Sequence, residues 1–425
     1  MRSLIEFVLA VILTIVVLLL IGLFLPGGGH GHVERSIIIE RPASHIYDML
    51  NSFKRFNEWS PWAKKDTTAS FTFSGPERGQ GARMEWSGNE KVGSGSFEII
   101  ESTPTNYIKM TQVVREGRTG TVSYKIEPSD LGVKVVWSYD VELGANPIER
   151  IKGRYLDSSV GADFQYGLMR LKALIESSAY ARDYSDIEIS QQEVLAQPAL
   201  KLSGLVEVYS ATEFPDLDAG VADTLKTLEA FMQRNNLTAT GAAQVQVTLK
   251  ERYRLAYDVT LPVDRNDVPM RDEIQAVTTS GGSMLVAEHV GERRRSNQTF
   301  EKLQAYATIY GLAFDPQAKP IEEFLPDRPA PVAPEEATDA AAADAAAPAD
   351  TAAAPADAAA TDGAAAEEAE PEMVQVTRVY LPLGLPAAVD PNAPVDPNAA
   401  PVDPNAAPVD PNAAPAPAAE ATPAG

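Results

Sequence analysis

The run from Phe7 to Leu25 constrains this chain more than any other stretch. It is nineteen consecutive positions without a charge, broken in its apolar character only by Thr14 and Gly22. A helix rises about 1.5 Å per residue, so roughly 20 such residues cross a bilayer. A cleaved signal peptide has a shorter apolar centre, about 7–15 residues, and a small-residue cleavage site. Leu25-Pro26-Gly27-Gly28-Gly29 offers no such site. The sequence therefore predicts an uncleaved transmembrane anchor over 4–25 and a Gly-rich joint over 26–32. Arg2 lies before the span and Arg35 and Arg41 after it, so the positive-inside rule barely discriminates. With only three residues ahead of the span, the expected arrangement is a retained amino terminus and an exported body. That places the chain in the inner (cytoplasmic) membrane as a single-pass protein with periplasmic domains.

The 425 residues contain no cysteine, which removes disulfides, thiolate zinc sites and a cysteine nucleophile from consideration. The net charge is −23, but after Ala330 there are 16 Asp and Glu against one basic residue, Arg378, leaving −8 for everything before. No basic stripe stands out, so nucleic acid is not an expected partner. His30 and His32 sit in the joint without the further ligands a closed metal site needs, so no metal or cofactor is expected.

Beyond the joint, 33–40 reads as a strand and 44–51 as a short helix. Val133, Val135, Trp137, Tyr139 and Val141 alternate with Lys134, Ser138 and Asp140, and Val122, Tyr124 and Ile126 alternate likewise. After Pro147 the period turns helical: Leu156, Val160, Phe164, Leu168, Leu171 and Leu174 form one apolar stripe. An antiparallel sheet with one apolar face, followed by a long amphipathic helix, is an α+β layer in which the helix covers that face.

Three segments carry a family resemblance: Phe56-Asn57-Glu58-Trp59-Ser60-Pro61-Trp62, the stretch from Met84-Glu85-Trp86 to Gly93-Ser94-Gly95, and Glu98-Ile99-Ile100-Glu101-Ser102-Thr103-Pro104. With the closing helix, 33–177 resembles the polyketide cyclase/dehydrase-type branch of the START-like (SRPBCC) superfamily. The resemblance implies a helix-grip fold, a curved antiparallel sheet around a long helix with an apolar cavity between them. It does not fix the chemistry. Trp59, Trp62, Trp86 and Trp137 are either the aromatic wall of a ligand pocket or plain core. His45 reads as a cap or surface residue, and alternation places Glu85 and Glu98 toward solvent. No nucleophile–base pair is legible, so no catalytic residue is assigned and binding is expected over catalysis.

A polar linker over 178–186 leads to a second domain over 187–383. Leu217, Val221, Leu225, Leu228 and Met232 share one face of a helix ending at Asn235. Strands follow over 244–250, 254–263, 274–278 and 284–289, then a helix over 298–310 capped by Gly311. Tyr380-Leu381-Pro382-Leu383 repeats the pattern of Thr260-Leu261-Pro262-Val263, which suggests two halves related by a pseudo-twofold. Val286-Ala287-Glu288-His289-Val290-Gly291, Tyr310-Gly311 and Glu322-Glu323-Phe324-Leu325-Pro326-Asp327 resemble the gyrase-inhibitor-like small-molecule-binding domain, also the effector-binding domain of some AraC-type regulators. The resemblance implies a ligand-facing glutamate at Glu322, with Phe324 in place of the family's tyrosine and Tyr310 at the helix end. A desolvated carboxylate among aromatic rings attracts organic cations; the alternative is that Glu322 and Glu323 are a solvated loop pair.

The stretch over 329–371, rich in Ala, Pro, Asp and Glu, is expected to be a disordered insertion. The tail over 384–425 repeats Val-Asp-Pro-Asn from 389, 395, 402 and 409 and reads as an extended spacer with room for a protein partner. The sequence thus predicts a membrane-anchored, non-enzymatic small-molecule-binding or sensing protein. Its first cavity would take an apolar or lipid-like ligand and its second an amphipathic cation. The rivals are a cyclase or hydrolase using either cavity, and a structural or interaction protein of the envelope.

Overall fold

The structure, a computed structural model, describes residues 2–24, 29–114, 117–144, 153, 155–209, 215–271, 273–329 and 373–384. Nearly all of the expected insertion and tail lies outside the described residues. Helix α1 runs Arg2–Phe24, and its described side chains, 4–17, are exposed. Among the described residues no helix is long and apolar enough to cross a membrane, so the spanning role expected of 4–25 is not a finding of the structure.

Strand β1 (His30–Ile39) begins inside the expected joint, because His30 pairs with Glu142 and His32 with Asp140 across the sheet. The chain continues through α2 (Ala43–Leu50), two single-turn helices α3 (Phe56–Trp59) and α4 (Trp62–Lys65), and six strands: β2 (Ser70–Ser74), β3 (Arg83–Ser87), β4 (Ser94–Thr103), β5 (Tyr107–Val114), β6 (Thr119–Ser129) and β7 (Gly132–Glu142). The seven strands form one antiparallel sheet in the order β1-β7-β6-β5-β4-β3-β2, a meander closed by β1 against β7. Helix α5 (Leu156–Glu176) lies across it. The expected stripe is the buried one at its centre: Phe164, Leu168 and Leu171 are at most 2 % exposed. Each such burial contributes about 1.5–3 kcal/mol. Two glycines let the helix come close. A Cβ at Gly161 would meet the Arg35 guanidinium at 2.2 Å, and one at Gly167 the Trp137 ring at 2.9 Å. The conformational cost of a mid-helix glycine, about 0.5–1 kcal/mol, accompanies that close packing.

The second sheet has eight strands in the order β12-β9-β11-β10-β14-β15-β13-β8. They are β8 (Ser190–Val194), β9 (Pro198–Glu207), β10 (Gln244–Lys250), β11 (Arg254–Pro262), β12 (Gln275–Thr278), β13 (Gly282–Val290), β14 (Ile321–Pro329) and β15 (Met373–Pro382), with helices α6 (Leu217–Asn235) and α7 (Asn297–Tyr310). Asp216 caps α6 by accepting from the Ala219 amide, and Gly311 ends α7 at φ 65°. The units β9-α6-β10-β11 and β13-α7-β14-β15 repeat each other, and their strands mirror about the β10/β14 pair. Leu261 faces Leu200 in the first unit as Leu381 faces Leu285 in the second. The Leu-Pro echo in the sequence is therefore a matched pair of strand ends.

Two sequence expectations change. Glu322 and Glu323 are not a solvated loop pair; they lie in β14, with Glu322 buried and Glu323 bonded to Arg378 and Tyr380. His45 is neither cap nor surface. It is fully buried, its Nε2 donates to the Arg182 carbonyl and its ring stacks on Tyr184. The polar linker over 178–186 is packed against the first half, with Tyr184 in the core and Asp183 accepting from Ser44. Position 45 reads as polar in sequence because nothing local reveals that a segment 137 residues later closes over it.

Candidate functional site

A cavity of about 270 Å³ lies in the first half. Phe56 and Trp62 reach it from α3 and α4, Trp86 and Phe97 from the sheet, and Leu156, Val160 and Phe164 from α5. Trp86 stacks on Phe97 at 4.9 Å between ring centres. Polar groups on the lining are few: Gln112, Arg118 and the Tyr139 hydroxyl. Burial pushes the Tyr139 hydroxyl up, and the Arg118 charge opposes that. Gly120 makes room for this tyrosine, since a Cβ there would meet the ring at 2.4 Å.

The four tryptophans separate into two roles. Trp62 and Trp86 line the cavity. Trp59 and Trp137 lie behind it at 1 % exposure, Trp137 stacked 4.0 Å from Phe164 and edge-on to Trp59 and Trp62. Both rear indole N–H groups are buried without a partner among the described residues.

The residues singled out in the second half do not converge. Glu322 accepts from the Ser296 hydroxyl at 2.5 Å, beside the start of α7. Burial pushes its carboxyl above the usual range, against the pull of Ser296, Lys250 and Arg293. Phe324 lies under the Arg293 guanidinium at 4.6 Å, and that same guanidinium pairs with Asp218 of α6 and with Asp327. Tyr310 is at the far end of α7, roughly 20 Å from Ser296 at 1.5 Å per residue. It packs against the first half, its ring 4.0 Å beneath the Arg78 guanidinium.

Residues 30–176 match the family described as polyketide cyclase / dehydrase and lipid transport. The seven-stranded antiparallel sheet and the covering helix α5 are consistent with the helix-grip fold expected of the first half. Solved structures similar to the chain include a protein from Chromobacterium violaceum (14 % identity, 34 % of this chain and 98 % of that one, TM-score 0.27). Others are a protein from Rhodobacter sphaeroides (14 %, 35 % and 94 %, 0.28) and a protein of unknown function from Staphylococcus aureus (11 %, 35 % and 94 %, 0.29). No curated protein matches the chain.

Sequence reading missed a polar cluster where the halves meet. Asp48 of α2 accepts from the Tyr184 hydroxyl at 2.8 Å and is also bonded by Tyr310. Burial pushes Asp48 above the ordinary carboxylate range, against both tyrosines and the Arg78 charge, and pushes both tyrosine hydroxyls up. A carboxyl with a raised folded pKa holds its proton more tightly folded than unfolded. Its ionisation therefore costs stability as pH rises from the ordinary carboxylate value through the raised one. The one legible signal is Asp48 itself, a lone acid between Tyr47 and Met49 in a short helix.

Proposed function

We propose that this protein is a membrane-anchored binding or sensing protein for a small apolar ligand, held in the cavity beneath α5. The observation that carries this reading is the lining: aromatic and aliphatic walls with three polar side chains at one side. At about 270 Å³ the space falls just below the roughly 300–1,000 Å³ of drug-sized sites. A ligand of one ring system or one short chain matches it better than a two-chain lipid. The anchoring part rests on the uncharged apolar run of the sequence from Phe7 to Leu25. Export of the body to the periplasm is part of the same proposal.

The test begins with cell fractionation. The full chain is expected in the membrane fraction, released only by detergent, and recovery without detergent would remove the anchor. Mass spectrometry of the extracted protein should then find a bound small apolar molecule. Val160→Trp fills the cavity at a cost of about 1–3 kcal/mol and should lose that molecule while staying folded. Retention by this variant would sink the assignment. A cyclase or hydrolase on the same cavity is the competing reading, favoured by the Tyr139 hydroxyl beside Arg118. Turnover of a bound compound, abolished in Tyr139→Phe with binding intact, would replace the binding reading.

For the second half we propose an amphipathic cation at Glu322, reached when Arg293 leaves the Phe324 ring. In thermal-shift titrations with tetraphenylphosphonium, Arg293→Ala should bind at least ten-fold tighter than the parent chain. Equal affinity in Arg293→Ala and its double variant with Glu322→Gln would dismiss this site.

A further inference from the structure

The sheet face of the second half that carries no helix has a recess of about 210 Å³, lined from β9, β10, β11, β12 and β14 and by Thr279 and Ser280. Seven of its ten lining residues are polar, among them Lys201, Gln244, Gln246 and Thr260; Val245, Val277 and Ile321 are the apolar ones.

The pseudo-twofold provides an internal control. In the first repeat Lys201 faces Thr260, which faces Gln244. In the second repeat Val286 faces Tyr380, which faces Ile321. The same register equates Thr279 with Val194, since β12 flanks β9 as β8 flanks β13. Where the first repeat has its polar recess, the second has a packed apolar cluster of Met284, Val286, Ile321 and Tyr380 with Val194 against it, and Ile321 borders both. The architecture therefore accepts an apolar filling here, and one repeat departs from it at four equivalent positions. Burying or half-burying polar groups costs stability unless they find partners. Half-buried Gln244 and Thr260 have no side-chain hydrogen-bond partner among the described residues, whereas Thr278 and Ser280 at the rim are exposed.

We propose that this recess is a binding site for a small neutral polyol or saccharide. Carboxamides and hydroxyls each donate and accept, which is the chemistry that pairs with sugar hydroxyls. The cation in the lining, Lys201, is already engaged by Asp258 at 3.4 Å, and Glu323 pairs across from Gln244. An anionic ligand would meet those carboxylates with no uncompensated positive charge.

The experiment is saturation-transfer NMR on the full chain in a zwitterionic detergent without sugar headgroups, using N-acetylglucosamine, glucose and citrate as probes. One of the two sugars is expected to give transfer to its ring protons, reduced at least five-fold in Gln244→Leu and in Thr260→Val. The triple variant Lys201→Val, Gln244→Ile, Thr260→Tyr, which copies the packed half, should lose binding and melt no lower than the parent. Three outcomes would overturn the proposal: no sugar signal, a signal untouched by the single variants, or a response to citrate alone. A triple variant that melts well below the parent would assign the polar set to stability instead. Val160→Trp should leave the sugar signal unchanged, which separates this site from the cavity under α5.

Discussion

Replacing Trp137 by alanine is expected to destabilise the first half by about 3–5 kcal/mol, the range for truncating a buried aromatic core residue. Trp137 is 1 % exposed, lies 4.0 Å from Phe164 and meets Trp59 and Trp62 edge-on. Removing it leaves a void that few side chains can collapse into, because Gly167 holds the helix backbone against that ring. The void would also adjoin the cavity wall formed by Trp62 and Phe164. Chemical denaturation should show a lower midpoint with little change in slope, and the variant should accept a bulkier apolar ligand than the parent. Trp137→Phe should recover most of the stability. A loss below about 1 kcal/mol would mean that the rear tryptophans are not the support of the cavity.

The second large effect is expected at Arg55. From the turn before α3, its Nη1 donates to the carbonyls of Thr308 (2.7 Å) and Ile309 (3.1 Å) at the end of α7, while Nε and Nη2 hold Glu58. A cation at a helix carboxyl terminus meets both unpaired carbonyls and the negative end of the dipole. The guanidinium side chain is 17 % exposed, so solvent screens it little. Hydrogen bonds to a charged group contribute about 1.5–3 kcal/mol, and since both carbonyls share one guanidinium the two do not add in full; Arg55→Ala should cost about 2–3 kcal/mol. The diagnostic result is the shape of the melt. Tyr184, Ala305 and Ile309 belong to the same core cluster as Phe53 and Trp59, so the parent should unfold in one transition, and Arg55→Ala should split it in two. Arg55→Lys should rescue only partly, because an ammonium lacks the fork that reaches two carbonyls and Glu58 together. A single unshifted transition in Arg55→Ala would show that the apolar contacts alone hold the halves.

Local pattern made much of this architecture readable. The period-2 strands around Trp137, the stripe on α5 and the Leu-Pro echo are short-range signals, and each element stands within a few residues of its expected bounds. The misses share a different cause. His45 and Asp48 take their roles from residues more than 130 positions away, and no window of the sequence contains both partners. Glu322 was singled out, but its strand setting was hidden by a polar pair that resembles loop chemistry. The split of the four tryptophans into lining and support depends on which side of the helix each ring meets, and alternation does not encode that. The polar recess was invisible for another reason: Lys201, Gln244 and Thr260 look like ordinary solvent-facing strand residues until the fold sets them beside their apolar counterparts.

The placement of Glu322 also bears on how such a molecule could arise. It pairs in register with Val245, which is its own equivalent in the other half. In an assembly of two identical halves, the residue at that position would face its own copy across the axis. Two carboxylates at the roughly 4.5–5.5 Å of a cross-strand pair could not both ionise in a buried setting. Joining the halves in one chain lets one copy mutate to valine while the other remains an acid. A lone chargeable group on the axis is thus a property that a fused tandem can hold and a symmetric dimer cannot.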